Sequence, residues 1–188
     1  MPDQNPMQAG NTARDVILLL KDIERRSGES RTNLPQQEEA HSLWDGILFS
    51  VVGTAVVALL SEVKEILNLP SALTRVPGAK SWMLGIANIR GNLLPVIDLQ
   101  LFLGGKPVAI GKRSRVLVID HSGVRVGLLV GGVQGIRHFQ QDQQVASPPL
   151  TGKLPEFCRS AFRNADEIWP VFDMGVLSDN QEFQVAAV

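Results

Sequence analysis

Leu94-Pro95-Val96-Ile97-Asp98-Leu99 is answered 75 residues later by Trp169-Pro170-Val171-Phe172-Asp173-Met174, and this pair of segments decides the fold. Proline lacks the amide hydrogen that a central strand donates, so the strand around Pro95 belongs at an edge or a bulge. A weaker echo, at an offset of 70, links Leu59-Leu60-Ser61-Glu62-Val63-Lys64-Glu65-Ile66 to Leu129-Val130-Gly131-Gly132-Val133-Gln134-Gly135-Ile136. Two offsets so close, in the same order, predict two similar β units. The Gly- and Pro-bearing stretch 104–111 is the expected joint between them.

The sequence on either side of these echoes is also β in pattern. Ile47 to Val52 and Ala55 to Leu60 flank Gly53-Thr54, two β-rich runs around a two-residue turn. The plan recurs around Gly91-Asn92, between Gly85–Arg90 and Leu93–Leu99, and again between Arg115–Asp120 and Val124–Val130. Short strands, frequent turns and no alternating helices predict a mainly β protein of small barrels, not a doubly wound sheet. This body is expected to span 46–178, with 179–188 as a tail.

Residues 1–45 differ. Thr12-Ala13-Arg14-Asp15 has the form of a capping box, and Val16, Leu19, Leu20 and Ile23 then recur on one helical face. The spacing predicts an amphipathic helix ending near Ser27-Gly28, followed by a polar linker over 29–37. Its apolar stripe is suited either to packing on the body or to docking on a partner.

The 188 residues carry 18 Lys+Arg against 19 Asp+Glu, and the net charge of −1 supplies no field for binding nucleic acid. The single cysteine, Cys158, excludes an intrachain disulfide and fits a reducing compartment, so a cytoplasmic location is expected. The polar start predicts no secretory signal. The apolar run Ile47–Leu60 is about 14 residues and is broken by Ser50, Gly53 and Thr54, too short for a bilayer span of roughly 20.

Catalytic patterns fail on spacing. Gly105 and Gly111 before Lys112 are one residue too far apart for a phosphate loop, and Arg113 stands where Ser or Thr would hold magnesium. Gly131-Gly132-Val133-Gln134-Gly135 is not a dinucleotide fingerprint. His41, His121 and His138 have no metal-ligand spacing and read as solvated. Cys158 beside Arg159 reads as a buried, inert thiol, with a small hydrolase using Cys158 or a serine as the enzyme alternative. Lys106, Lys112, Arg113 and Arg115 form a basic cluster without an aromatic platform, suited to solvent or an acidic partner. No cofactor and no metal are expected.

Two charged residues stand out from this background. Alternation along Val63-Lys64-Glu65-Ile66 predicts Val63 and Glu65 on one face. Arg90, placed just before a tight turn, is expected to meet Glu65 in a two-pronged pair, either fixing strand register or serving a binding surface.

The segment Gly85-Ile86-Ala87-Asn88-Ile89-Arg90-Gly91-Asn92-Leu93-Leu94-Pro95-Val96-Ile97-Asp98-Leu99 closely resembles the signature of the CheW family of chemotaxis coupling proteins. Val63-Lys64-Glu65-Ile66 and Val126-Gly127-Leu128-Leu129-Val130 also resemble its motifs, in the right order. The resemblance implies two five-stranded barrels, similar to Src-homology-three barrels, around a shared apolar interface. It further implies a non-catalytic adaptor between the cytoplasmic tip of a methyl-accepting chemoreceptor and the regulatory domain of a CheA-type histidine kinase, recruited to receptor arrays. Carried over by position, Val63, Glu65, Gly85, Arg90, Val130 and Val133 match receptor-facing places; no kinase-facing residue is assigned. Where the family often has an acid after Gly-Leu-Leu-Val, this chain has Gly131-Gly132. The long leader resembles the PilI type, which serves type IV pili and twitching motility; a flagellar coupling protein is the alternative.

Overall fold

The structure, a computed structural model, describes residues 44–121 and 123–185. The expected leader helix, the 29–37 linker and His41 lie outside the described residues. Eleven strands are present among those described: β1 (Trp44–Val51), β2 (Thr54–Leu59), β3 (Val63–Leu67), β4 (Met83–Ile89), β5 (Asn92–Asp98), β6 (Arg115–His121), β7 (Val124–Val130), β8 (Gly132–Phe139), β9 (Gln144–Ala146), β10 (Ser160–Asn164) and β11 (Glu167–Val171). Four short helices join them: α1 (Leu99–Phe102), α2 (Leu154–Phe157), α3 (Met174–Asp179) and α4 (Gln181–Gln184).

The strands form one sheet of order β8-β1-β2-β11-β10-β9 and another of order β3-β6-β7-β5-β4. The six-stranded sheet thus begins with the first hairpin, gives way to β3–β7, and resumes at β8. This corrects the expected joint. Residues 104–111 connect α1 to β6 inside the five-stranded sheet, whereas the chain changes sheets at the 3-10 turn Leu60–Glu62 and again at Gly131. Both crossings lie within the Leu59–Ile66 and Leu129–Ile136 echoes.

The two sheets follow one plan. β5 runs parallel to β7 through Val96↔Gly127, and β11 runs parallel to β2 through Val171↔Val57. Asp98 and Asp173, equivalent in the 75-residue echo, each cap the short helix that follows. Even the sixth strand has a counterpart: β9 pairs with β10 where Thr74 makes an isolated bridge to Ile86 of β4.

Alternation sorts the side chains into three apolar groups. Ile47 and Phe49 of β1 join Leu117 and Ile119 of β6 in a core shared by both sheets. Leu48, Val57, Phe139, Phe162 and Trp169 fill the six-stranded barrel, while Ala87, Val96, Val116 and Leu129 fill the five-stranded one. Full burial of a residue such as Phe49 contributes about 2–3 kcal/mol relative to leaving it exposed.

Residues 179–185 are part of this body, not a tail. Phe183 of α4 is buried, its ring parallel to Trp82 at 6.2 Å and edge-on to Phe102 at 5.2 Å. Polar contacts add to this anchor: Lys153 Nζ lies 2.6 Å from Glu182 Oε2, and Gln184 Nε2 donates to the Ser178 carbonyl at 2.9 Å.

Candidate binding surface

The β4–β5 hairpin turns on Arg90 and Gly91, with φ of 53° and 86°. Both central residues of this two-residue turn are left-handed, as the strand twist favours. Arg90 is therefore the first turn residue rather than the last strand residue. Asn88 braces the turn, its Oδ1 accepting from the Gly91 amide at 2.9 Å. From there Arg90 reaches Glu65 on β3, Nη2 to Oε1, at 2.8 Å. Arg90 is 78% exposed and Glu65 27%, so the pair contributes at most about 1 kcal/mol to stability.

The repeat separates what the backbone needs from what it does not. Arg90 is equivalent to Ala165, which has φ of 51° in the β10–β11 hairpin, and Glu65 is equivalent to Gly135. A positive φ at this position is held by an alanine in the second copy, although the next residue there, Asp166, does not share the positive φ of Gly91. The guanidinium and its carboxylate are thus additions to one copy of the design.

Val63 and Glu65 do not share a face as alternation predicts. A bulge at Lys64 pairs Val63 with Ile119 and Glu65 with Val118, adjacent residues that point to opposite sides of β6. The bulge sets Val63 and Ile66 together on the side of the shared core, opposite Ile119 and Leu117. The second copy repeats this: Val133 and Ile136 pair with Phe49 and Ile47 around a shift at Gln134. Val63 and Val133 are half-buried against the shared core, while Ile66 and Ile136 are 42% and 46% exposed. Two edge strands therefore carry matched apolar strips along its rim. Sequence reasoning missed Ile66 and Ile136, although they close the two echoes and their equivalence was available there.

Gly85 and Val130 are both buried. A side chain at Gly85, where φ is 145°, would come within 2.6 Å of the Thr74 carbonyl oxygen, which accepts from the Ile86 amide at 2.8 Å. Val130 is fully buried in the shared core at the end of β7. The structure thus joins Glu65 to Arg90, puts Val63 and Val133 at the rim, and leaves Gly85 and Val130 buried.

The remaining candidates for chemistry are quiet. Cys158 is buried, and burial, followed by the charge of Asp173, pushes its thiol up to about 12. A thiol so placed carries negligible thiolate at neutral pH and is a poor nucleophile. His138 is not simply solvated: its Nδ1 lies 2.6 Å from Oδ1 of Asp45, its cross-strand neighbour. Among the described residues, no group of three His, Cys, Asp or Glu side chains is placed to hold a metal. Among them, too, no helix is long and apolar enough to cross a membrane.

A match to the CheW-like domain family spans residues 45–182, almost all of the described body. The chain belongs to the CheW-like family. It is 40% identical over 171 residues to protein PilI of Pseudomonas aeruginosa, covering 90% of this chain and 95% of that one. It is 30% identical over 125 residues to chemotaxis protein CheW of Helicobacter pylori, covering 65% and 74%. The fold is also that of a crystal structure of the scaffolding protein CheW from Thermoanaerobacter tengcongensis, with a TM-score of 0.62 and 22% identity over 73% of this chain and 94% of that one. The expected CheW-like, mainly β architecture is present, with one barrel's sheet extended to six strands by β9.

Proposed function

We propose that this protein is a non-catalytic adaptor that couples a methyl-accepting chemoreceptor to a CheA-type histidine kinase. The observation that carries this reading is the asymmetric rim of the shared core. Two edge strands offer Val63, Ile66, Val133 and Ile136, and one copy alone adds the exposed Glu65–Arg90 pair. An amphipathic receptor helix has an apolar stripe to bury there and polar flanks for the pair to select. Coupling then needs no bond chemistry, since a receptor change alters the kinase only through different interaction energies with the assembled states.

The system served is one controlling type IV pili and twitching motility, a reading supported by the 40% identity to a protein named PilI along nearly its whole length. On this reading the protein works in the cytoplasm and is recruited to membrane-associated receptor arrays through its partners. The 30% identity to a CheW makes a flagellar chemotaxis role the second reading. Calorimetric titration of the full chain with a receptor cytoplasmic fragment and with the kinase regulatory domain tests the proposal. One-to-one binding to both is expected, with Arg90→Ala weakening only the receptor contact. Binding to neither partner by folded protein overturns it.

A further inference from the structure

Beside the Val133 strip, where β7 crosses to β8, lies a cavity of about 380 Å³ lined by Ser50, Lys112, Arg113, Arg115, Gly131 and Gly132, together with Val133 and Gln134. Three cations face it and no acid lines it. Among the described residues, none of the three is in an ion pair. Their loop is held in place. Ser114, itself buried, donates to the Gly111 carbonyl at 2.7 Å and accepts from the Gly111 amide at 3.0 Å. The Arg115 guanidinium donates to the carbonyls of Lys112 and Ser114, both at 2.7 Å, so its charge is fixed before any ligand arrives.

Nothing in the backbone demands glycine at the mouth. Neither Gly131 nor Gly132 has a positive φ, and a Cβ at Gly132 would lie 3.5 Å from the Arg113 carbonyl oxygen and 3.7 Å from its Cβ, ordinary contact distances. The fold has room for a side chain beside Arg113, and this chain leaves that room open.

We propose that this pocket receives a carboxylate side chain of the partner helix that docks along the Val63–Val133 rim, an inference that rests on the adaptor reading above. The chemistry it selects is an Asp or Glu flanking the apolar stripe of the partner. A nucleic-acid partner fits poorly, because the chain's net charge is −1 and no aromatic side chain lines the cavity.

The test is titration of full-length protein with the receptor cytoplasmic fragment, comparing wild type, Gly132→Ala, Gly132→Asp and Arg113→Glu. Gly132→Ala adds bulk without charge and should weaken binding less than Gly132→Asp does. Gly132→Asp and Arg113→Glu should each weaken binding about tenfold or more and flatten its salt dependence. A Glu→Lys or Asp→Lys change at one position of the fragment should restore binding to Arg113→Glu. Unchanged affinity in both charge variants, with the wild type binding, overturns the pocket assignment and leaves the adaptor reading standing. Failure of the folded wild type to bind overturns both. Saturable binding of inorganic phosphate or ATP, abolished by Gly132→Asp, would instead make the pocket a phosphate site and overturn the proposal.

Discussion

Asp98 and Asp173 hold the same place in two copies of one design, each accepting through Oδ1 at 2.9 Å from the amide three residues on, Leu101 in one case and Val176 in the other. They are not equivalent in depth. Asp98 is buried, and its second oxygen accepts from the Val108 amide at 2.8 Å, tying down the loop that leads to the basic pocket. Asp173 is exposed.

This difference sets the cost of removing each carboxylate. Asp98→Ala deletes a cap and leaves the buried Val108 amide without its partner, for a loss of about 3 kcal/mol. Asp173→Ala deletes a cap alone, for about 1 kcal/mol. Urea unfolding of the two variants should rank them in that order.

At the hairpin turn, the Arg90 side chain and its backbone make separate demands. Arg90→Ala should change stability by less than about 1 kcal/mol, because the pair it breaks is exposed. Arg90→Gly should be no less stable than Arg90→Ala, since glycine adopts φ of 53° without the Cβ strain. Both should weaken receptor binding. A large drop in melting temperature in Arg90→Ala would instead show that the pair holds the strands together.

Gly85 behaves oppositely. Gly85→Ala forces a Cβ against the Thr74 carbonyl oxygen at a backbone angle that disfavours side chains, and should cost about 2 kcal/mol or more. Thermal melts read this directly. Lost binding in that variant would follow from the altered β4 edge.

Glu62, in the 3-10 turn where the chain first changes sheets, has its pKa raised, first by burial and then by the charge of Asp173. The folded state therefore holds this proton more tightly than the unfolded chain. Stability contributed by the protonated group is present below the ordinary carboxylate range and is lost as pH rises through the raised folded value. Glu62→Gln should remove that slope and be the more stable protein at neutral pH, measured by denaturant midpoints from pH 4 upward.

The two echoes made the paired architecture legible because strand, aspartate cap and helix recur as local sequence. The exchange of strands between sheets was not legible, since neither echo states which edge each copy joins. Turn register slipped by one for a similar reason. Gly53-Thr54 was the expected turn, but Val52 and Gly53 form it, with φ of 49° and 73°, and a β-branched residue gives no sign that it will adopt that angle. The pairing of Glu65 with Arg90 was foreseen from its residue types, but as a two-pronged pair, whereas the structure has the single contact from Nη2 to Oε1. The relation of Glu65 to Val63 was not foreseen, because the bulge at Lys64 interrupts the alternation on which that expectation rested.

Coupling itself is most directly measured by sedimentation of receptor-bearing membranes with a CheA-type kinase, with and without this protein. The kinase should enter the pellet in proportion to added wild-type protein, and Arg90→Ala should lower the pelleted fraction while leaving the soluble complex with the kinase intact. A pelleted fraction of kinase that does not change when folded wild-type protein is added would contradict the adaptor reading.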